Sequence, residues 1–211
     1  MILDSKCLNW TKYSKYERRL SEDGKFRYYP ADGTKIIEYN PFEIMDKILI
    51  DFLTLGWYLA FGKTYLAIQA DEAFIKTYGT ITIPATIVDK TEEESPSILA
   101  NMAEKVYRHF YEINRLIKDE KFFGVEPAHS FETDVPLKIE LIDDIPTIVW
   151  QTQDLKSAIE IAYALLISDK SSGLKHCKHC HKAYYNKNPK SEFCSPQCRN
   201  QFNVYKSRGK I

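Results

Sequence analysis

Four cysteines in the C-terminal part of this 211-residue chain have the spacing of a metal site. Cys177 and Cys180 are separated by two residues, Cys194 and Cys198 by three, and thirteen residues lie between the two pairs. One close pair of thiolates can bind a metal ion from a tight turn, and a second pair completes a tetrahedral shell of sulfur. The pattern predicts one structural Zn²⁺, with no coordination position left open for a catalytic water.

Other interpretations of these residues stay open. The thiols could be free or form two disulfides, although an odd total of five cysteines, with Cys7 far from the rest, favours a metal. Cys177–His181 also matches the C-x-x-C-H pattern of haem attachment, which leaves the second cysteine pair unexplained. His176, His179 and His181 could compete as ligands. We expect His181 to adopt a left-handed backbone conformation, because similar turns usually have glycine at that position.

The residues around the cysteines predict how the two pairs are brought together. Residues 183–185 can form a strand, residues 187–191 a turn, and residues 192–193 the returning strand. Ser195 is a suitable cap for a helix that carries Cys198 in its first turn, so the positive end of the helix dipole would face the metal. A knuckle, a hairpin and a helix around one ion predict a treble-clef-like zinc finger with four cysteine ligands.

The charge of the chain is divided between two parts. The net charge is zero, but residues 174–211 contain nine Lys or Arg and one acidic residue, Glu192, a formal charge of +8. Residues 1–173 therefore carry −8. An acidic body followed by a basic segment is typical of proteins in which the basic segment binds a polyanion.

The basic segment contains the candidate nucleic-acid-binding residues. On a helical wheel, Phe202 and Tyr205 lie beside Cys198, while the basic residues and one asparagine form a separate stripe. Lys and Arg neutralise phosphates, and an asparagine can bind base edges in the major groove. DNA is the predicted partner, with RNA as an open alternative. The candidate residues are Lys182, Lys187, Lys190, Arg199, Asn203, Lys206, Arg208 and Lys210.

From Leu155 onward the chain resembles proteins with a CGNR-type zinc finger. The resemblance rests on the Cys177–Cys180 pair, the aromatic pair Tyr184-Tyr185, the Phe193–Cys198 segment and the basic helix that follows. In that family the finger follows an N-terminal domain called ABATE, and the proteins are regarded as bacterial stress-linked transcription regulators. The resemblance thus implies transcription regulation. The family's Cys-Gly-Asn-Arg is here Cys-Arg-Asn-Gln, residues 198–201, so its base contacts do not transfer.

Residues 1–170 are predicted to form an acidic α+β domain with more helix than sheet. Capping residues predict helices after Asn40, Ser95 and Thr152, each followed by apolar residues at helical spacing. Two hairpins are predicted, one joining strands 26–29 and 35–39 and the other joining strands 137–142 and 147–151. Polar residues 168–173 mark the expected boundary before the finger, residues 174–211.

The sequence favours a regulator over an enzyme. Residues 1–173 contain no phosphate-binding glycine loop and no recognisable catalytic motif. Fourteen Tyr and eleven Phe suggest a pocket for a small-molecule effector or a surface for homodimerisation. The alternatives are a zinc-finger adaptor that binds protein rather than nucleic acid, and an enzyme whose pocket has no known motif.

The expected location is the cytoplasm, with no membrane partner. The first twenty residues contain several charges and no apolar run of the kind found in a secretory signal peptide. The longest apolar region, residues 44–61, is interrupted by charged residues and is shorter than the ~20 residues that a membrane-spanning helix requires.

Overall fold

The computed structural model describes residues 8–22, 24, 26–82, 96–117, 132–133, 135–169, 171–188 and 190–210. Within these residues the fold is α+β, as predicted, with five α-helices and four two-stranded antiparallel sheets. The helices are α1 Met45–Ala60, α2 Thr64–Tyr78, α3 Pro96–Ile117, α4 Leu155–Ser168 and α5 Pro196–Ser207. The strands are β1 Trp10–Tyr13, β2 Tyr16–Leu20, β3 Phe26–Pro30, β4 Ile36–Tyr39, β5 Leu137–Ile142, β6 Ile145–Trp150, β7 Leu174–His176 and β8 Ala183–Tyr185.

The first predicted hairpin is wrong in its pairing. Strand β3 pairs with β2, and β4 pairs with β1, so residues 10–20 and 26–39 form one long, interrupted antiparallel ribbon. The tight turn lies near Gly24, where the backbone has a φ of 78° and the Gly24 amide donates to the Ser21 carbonyl. A turn does form at Asp32 and Gly33, where the Thr34 amide donates to the Ala31 carbonyl. It interrupts the second long strand and joins no hairpin, because both flanking strands pair with the N-terminal segment.

The second hairpin confirms the prediction. Strands β5 and β6 pair in antiparallel register across Asp143 and Asp144, whose φ values are 51° and 61°. A two-residue hairpin turn with positive φ at both positions matches the right-handed twist of its strands, and Asp tolerates that conformation. The return strand begins at Ile145, two residues earlier than expected, because the turn needs only the two aspartates.

Helices α1 and α3 form the centre of the core. Ile48, Phe52 and Leu55 of α1 are fully buried, as are Val106 and Phe110 of α3. The long apolar stripe of α3 therefore faces the core, as its helical spacing predicts. In the parts of the chain that the structure describes, no helix combines the length and the apolar character needed to cross a membrane.

Helix α1 and helix α3 approach each other closely at Gly56. A Cβ atom at this position would collide with the carbonyl oxygen of Ala103 and would lie 2.6 Å from the Cβ of Tyr107. Both obstacles belong to the inner part of α3, close to its backbone, and neither is the end of a flexible side chain. Glycine is thus required at position 56 by the distance between the helices and not by backbone conformation.

Helix α4 begins at a different cap from the predicted Thr152. Asp154 accepts a hydrogen bond from the Ser157 amide at 2.7 Å, and the Ser157 hydroxyl oxygen accepts one from the Asp154 amide at 3.2 Å. This reciprocal capping box satisfies two backbone donors at the helix start, which a threonine two residues earlier cannot do. The predicted caps Asn40 and Ser195 are confirmed, since their side chains accept from Phe42 and Cys198 amides.

Helix α2 is absent from the sequence prediction. The helix begins after Lys63, whose side chain makes no capping hydrogen bond, so the usual signal of a helix start is missing. One of its buried residues is also an acid, Asp71. Asp71 is 8% exposed, and its Oδ2 accepts a 2.7 Å hydrogen bond from the Tyr28 hydroxyl. A buried acid at a core-facing position weakens the apolar pattern by which a helix is recognised.

We predict that Gly56→Ala destabilises the fold by about 1–3 kcal/mol or more, because the added methyl group must push α3 away from α1. Thr54→Ala on the same helix is the control, since it removes atoms and adds no clash. Chemical denaturation measures both free energies of unfolding. A Gly56→Ala variant as stable as Thr54→Ala would contradict the close approach of the helices.

We predict a pH-dependent difference in stability between the protein and its Asp71→Asn variant. Burial raises the pKa of Asp71 from 3.8 to about 6, although the Tyr28 hydrogen bond and the positive charge of Arg18 act in the opposite direction. The folded state therefore binds the proton more tightly than the unfolded state, so this contribution to stability is present below pH 4 and is lost as the pH rises to about 6.

Relative to Asp71→Asn, the protein should lose about 3 kcal/mol of unfolding free energy over that pH interval, as an upper estimate. Glu38→Gln is the control, because Glu38 is an exposed carboxylate on β4 and is not among the charges that shift the pKa of Asp71. Urea denaturation at several pH values measures the difference. A difference that does not change with pH would show that Asp71 titrates normally.

Candidate metal centre and basic helix

The first cysteine pair lies in the turn between β7 and β8. The Cys177 amide donates to the carbonyl oxygen of Lys182, and the His181 amide donates to the Cys177 carbonyl, both at 2.9 Å. His181 has a φ of 62°, which confirms the predicted left-handed conformation. These bonds close the chain tightly around residues 177–182, which we call the knuckle.

The predicted pairing of the finger strands is wrong. Strand β8 pairs with β7, before the knuckle, and residues 192–193 form no strand with it. The segment leading to the second cysteine pair is held instead by single hydrogen bonds. The Lys178 amide donates to the Glu192 carbonyl at 2.9 Å, and the Tyr184 hydroxyl donates to the Ser191 carbonyl at 2.8 Å. The knuckle and helix thus remain as predicted, but the strands that pair are the two that flank the knuckle, so the knuckle is the turn of the hairpin.

Helix α5 carries the second cysteine pair to the knuckle. Ser195 has an extended backbone, and its hydroxyl oxygen accepts a 3.2 Å hydrogen bond from the amide of Cys198. Pro196 occupies the first helical turn, where its missing amide hydrogen leaves no intrahelical bond unmade. Cys194 lies just before this cap and Cys198 in the first turn, so the N-terminus of the helix faces the sulfur atoms.

The four cysteines form one cluster that can hold a metal ion. Their sulfur atoms all lie within 4.8 Å of one another. The Sγ atoms of Cys180 and Cys194 are 3.7 Å apart, and those of Cys194 and Cys198 are 3.5 Å apart. Four thiolates bound tetrahedrally at ~2.3 Å place their sulfurs about 3.8 Å apart, so this donor set fits a tetrahedral ion such as Zn²⁺.

The environment of Cys177 favours its thiolate form. A hydrogen bond from the Cys180 thiol lowers the pKa of Cys177, and the backbone amides of Cys180, Cys194 and His179 contribute in the same direction. The same sulfur–sulfur bond raises the pKa of Cys180 above its ordinary value. The amides of the knuckle therefore stabilise negative charge on a buried sulfur, as a thiolate ligand requires.

The histidines near the cluster have contacts other than metal. The His179 ring nitrogen Nε2 lies 3.0 Å from the Gln201 side-chain oxygen, and its ring lies 5.4 Å from that of Tyr205 on α5. The rings of His176 and His181 stack on each other, and His181 also stacks on Phe61 of the body. Among the described residues the cluster of potential ligands contains the four cysteines and no histidine.

The knuckle is fixed to the body, by which we mean the described residues up to 169. The Trp57 indole donates a 2.9 Å hydrogen bond to the Cys180 carbonyl, and the Tyr107 hydroxyl donates one of 2.7 Å to the His181 carbonyl. Burial raises the pKa of Tyr107 far above its usual range, so this hydroxyl stays protonated and remains a donor. Leu174 and Ala183 join the same apolar cluster as α1 and α3.

One predicted nucleic-acid-binding residue, Lys182, lies in this contact with the body. Its side chain is half-buried, and its ammonium group lies 4.5 Å from the Trp57 ring centre and 4.9 Å from that of Tyr58. Because the ammonium group makes these cation–π contacts within the protein, it is less available to contact a phosphate group. Sequence patterns could not identify this contact, because Trp57 and Lys182 are 125 positions apart.

The other predicted nucleic-acid-binding residues are exposed. Six of them are basic, and none of the six forms an ion pair with a described residue. Helix α5 buries no residue, and no acidic side chain lies on it. The helix and the adjacent turn therefore present positive charge and several amide side chains to solvent. These residues are Lys187, Lys190, Arg199, Asn203, Lys206, Arg208 and Lys210.

Comparison with known proteins finds no match, whether to a family model, to a curated protein or to a solved structure. The likeness to CGNR-type fingers therefore stays a prediction based on the spacing of residues. The fifth cysteine, Cys7, lies outside the described residues.

We predict that Cys180→Ser abolishes stoichiometric metal binding and unfolds the finger, because a structural zinc ion typically contributes about 10 kcal/mol or more to such modules. Cys7→Ser is the control, since it leaves all four clustered sulfurs in place. Elemental analysis gives the metal content of each protein, and circular dichroism gives the loss of helix. Equal metal content in both variants would contradict the four-sulfur site.

Proposed function

We propose that this protein is a nucleic-acid-binding regulator of transcription whose structural zinc finger presents α5 to DNA. The observation that supports the proposal is the surface of α5, where the basic residues are exposed and have no acidic partner among the described residues. Lysine and arginine on such a surface displace the counterions of a phosphate backbone, which makes a large favourable contribution to binding.

The position of Asn203 supports binding in a groove. Arg199, Asn203 and Lys206 follow one another at intervals of four and three residues, which places them on the same side of an α-helix. An asparagine between two cations can donate to and accept from an adenine edge while the cations contact phosphate. The charge pattern alone fits RNA as well as DNA, so both nucleic acids belong in the experiment.

Zinc is the ion that we propose for the four-cysteine cluster, and its role is structural. Four thiolates complete a tetrahedral shell, so the ion would hold the knuckle and α5 together and not activate water. The proposed relation to CGNR-type regulators rests on the same residues. In this proposal the chain is not an enzyme, and its body provides the sensing or dimerising part of a cytoplasmic regulator.

We predict salt-sensitive binding to duplex DNA that depends on α5. Fluorescence anisotropy with a labelled duplex of arbitrary sequence, between about 50 and 200 mM salt, should give an affinity that falls steeply on a logarithmic plot. Removing two cations with Arg199→Ala and Lys206→Ala should reduce the slope by about 1.8, because each phosphate contact contributes about 0.9. Labelled RNA of the same length provides the comparison.

The matched control is the pair Lys15→Ala and Lys35→Ala, which removes the same charge from exposed positions on the body. It should leave the slope within error of the unmodified protein. If both pairs of substitutions changed the slope equally, DNA binding would depend on the net charge of the protein and not on α5. Absence of DNA and RNA binding by folded, metal-containing protein would overturn the proposal and favour a protein-binding adaptor.

A further inference from the structure

A cavity lies in the body, between the first ribbon and the three helices α1, α2 and α3. Its volume is about 190 Å³. Most of the lining is apolar, together with the threonine Thr64; the apolar residues are Leu55, Leu59, Ala67, Ile68 and Ala100. An engineered apolar cavity of about 150 Å³ can hold benzene, so this one has room for a ring or a short chain carrying a small substituent.

One buried carboxylate also lines this cavity. Asp71 is 8% exposed, and only its Oδ2 is engaged, by the hydroxyl of Tyr28. Its other oxygen, Oδ1, is buried and has no hydrogen-bond partner within the protein. A buried acceptor without a donor is unfavourable, and most such groups in proteins bind a partner.

We propose that this cavity binds a small primary amine with a compact apolar body, whose ammonium group pairs with the carboxylate of Asp71. The carboxylate can only accept hydrogen bonds, so the matching ligand group must be a donor. An ammonium ion supplies the donor together with a positive charge, and a charge-assisted bond is about twice as strong as a neutral one. The five apolar residues would contact the rest of the ligand.

The other charge at the cavity does not cancel this preference. Arg18 lines the opening, but its side chain is exposed and its guanidinium lies 4.1 Å from the centre of the Phe26 ring. An exposed charge is screened by water and salt, whereas the interaction of a buried carboxylate with a bound cation is screened much less. Burial raises the pKa of Asp71 to about 6, so above pH 7 the carboxyl group is mainly ionised.

Three probes of nearly equal size test the proposal: benzylamine, benzyl alcohol and toluene. Each is titrated into the full chain above pH 7, and binding is followed by calorimetry or by NMR shifts. Benzylamine should bind about tenfold or more tightly than benzyl alcohol, because only the amine adds a charge to its hydrogen bond. Equal affinities, or no binding of benzylamine at millimolar concentration, would overturn the proposal.

Two variants locate the site. Asp71→Asn should weaken benzylamine about tenfold and leave benzyl alcohol nearly unchanged, whereas the control Glu38→Gln, at an exposed position on β4, should affect neither. Ala100→Leu, which keeps Asp71 and fills the cavity, should weaken both ligands and serves as the decisive variant if Asp71→Asn does not fold. Unchanged benzylamine binding in the folded variants would place it elsewhere and overturn the proposal. None of these measurements involves nucleic acid, so they are independent of the proposed function.

Discussion

Helix α5 buries none of its residues, and this constraint determines how the finger is built. A helix of twelve residues with no buried face is marginal in water, because most helical stability in proteins comes from tertiary packing. It is attached to the knuckle through Cys198 in the sulfur cluster and through the contacts of His179 with Gln201 and Tyr205. Phe202 also packs on Phe193, with the ring centres 5.3 Å apart. The sulfur cluster therefore takes the place of a hydrophobic core and fixes where the basic side chains point.

The other half of the finger is held in the opposite way. Strands β7 and β8 contribute Leu174 and Ala183 to the core of the body, and Trp57 and Tyr107 bind carbonyl oxygens of the knuckle. The knuckle is thus anchored by apolar burial and directed hydrogen bonds, whereas α5 is anchored through the cysteines. This arrangement gives the exposed helix a defined orientation relative to the body while keeping its charged surface free of acidic side chains.

Local chemistry explains which features could be predicted from the sequence. The cysteine spacing, the Ser195 cap, the left-handed His181 and the Asp143-Asp144 turn each depend on a few neighbouring residues, and the structure contains all four. The features that the sequence did not predict depend on residues far apart in the chain. They are the pairing of β3 with β2 and of β4 with β1, the pairing of β8 with β7, and the contact of Lys182 with Trp57. Helix α2 escaped recognition because the burial of Asp71 contradicts the usual apolar pattern, and the same residue marks the cavity that sequence reasoning missed.

Hydrogen exchange before and after metal removal tests most directly whether the sulfur cluster holds α5 in place. Amide exchange would be measured by mass spectrometry on the full chain, first as purified with its metal and then after treatment with a chelator. Peptides from α5 should lose their protection after chelation, while peptides from α1 and α3 should keep theirs because the body has its own core. Unchanged protection of α5 after complete metal removal would contradict it.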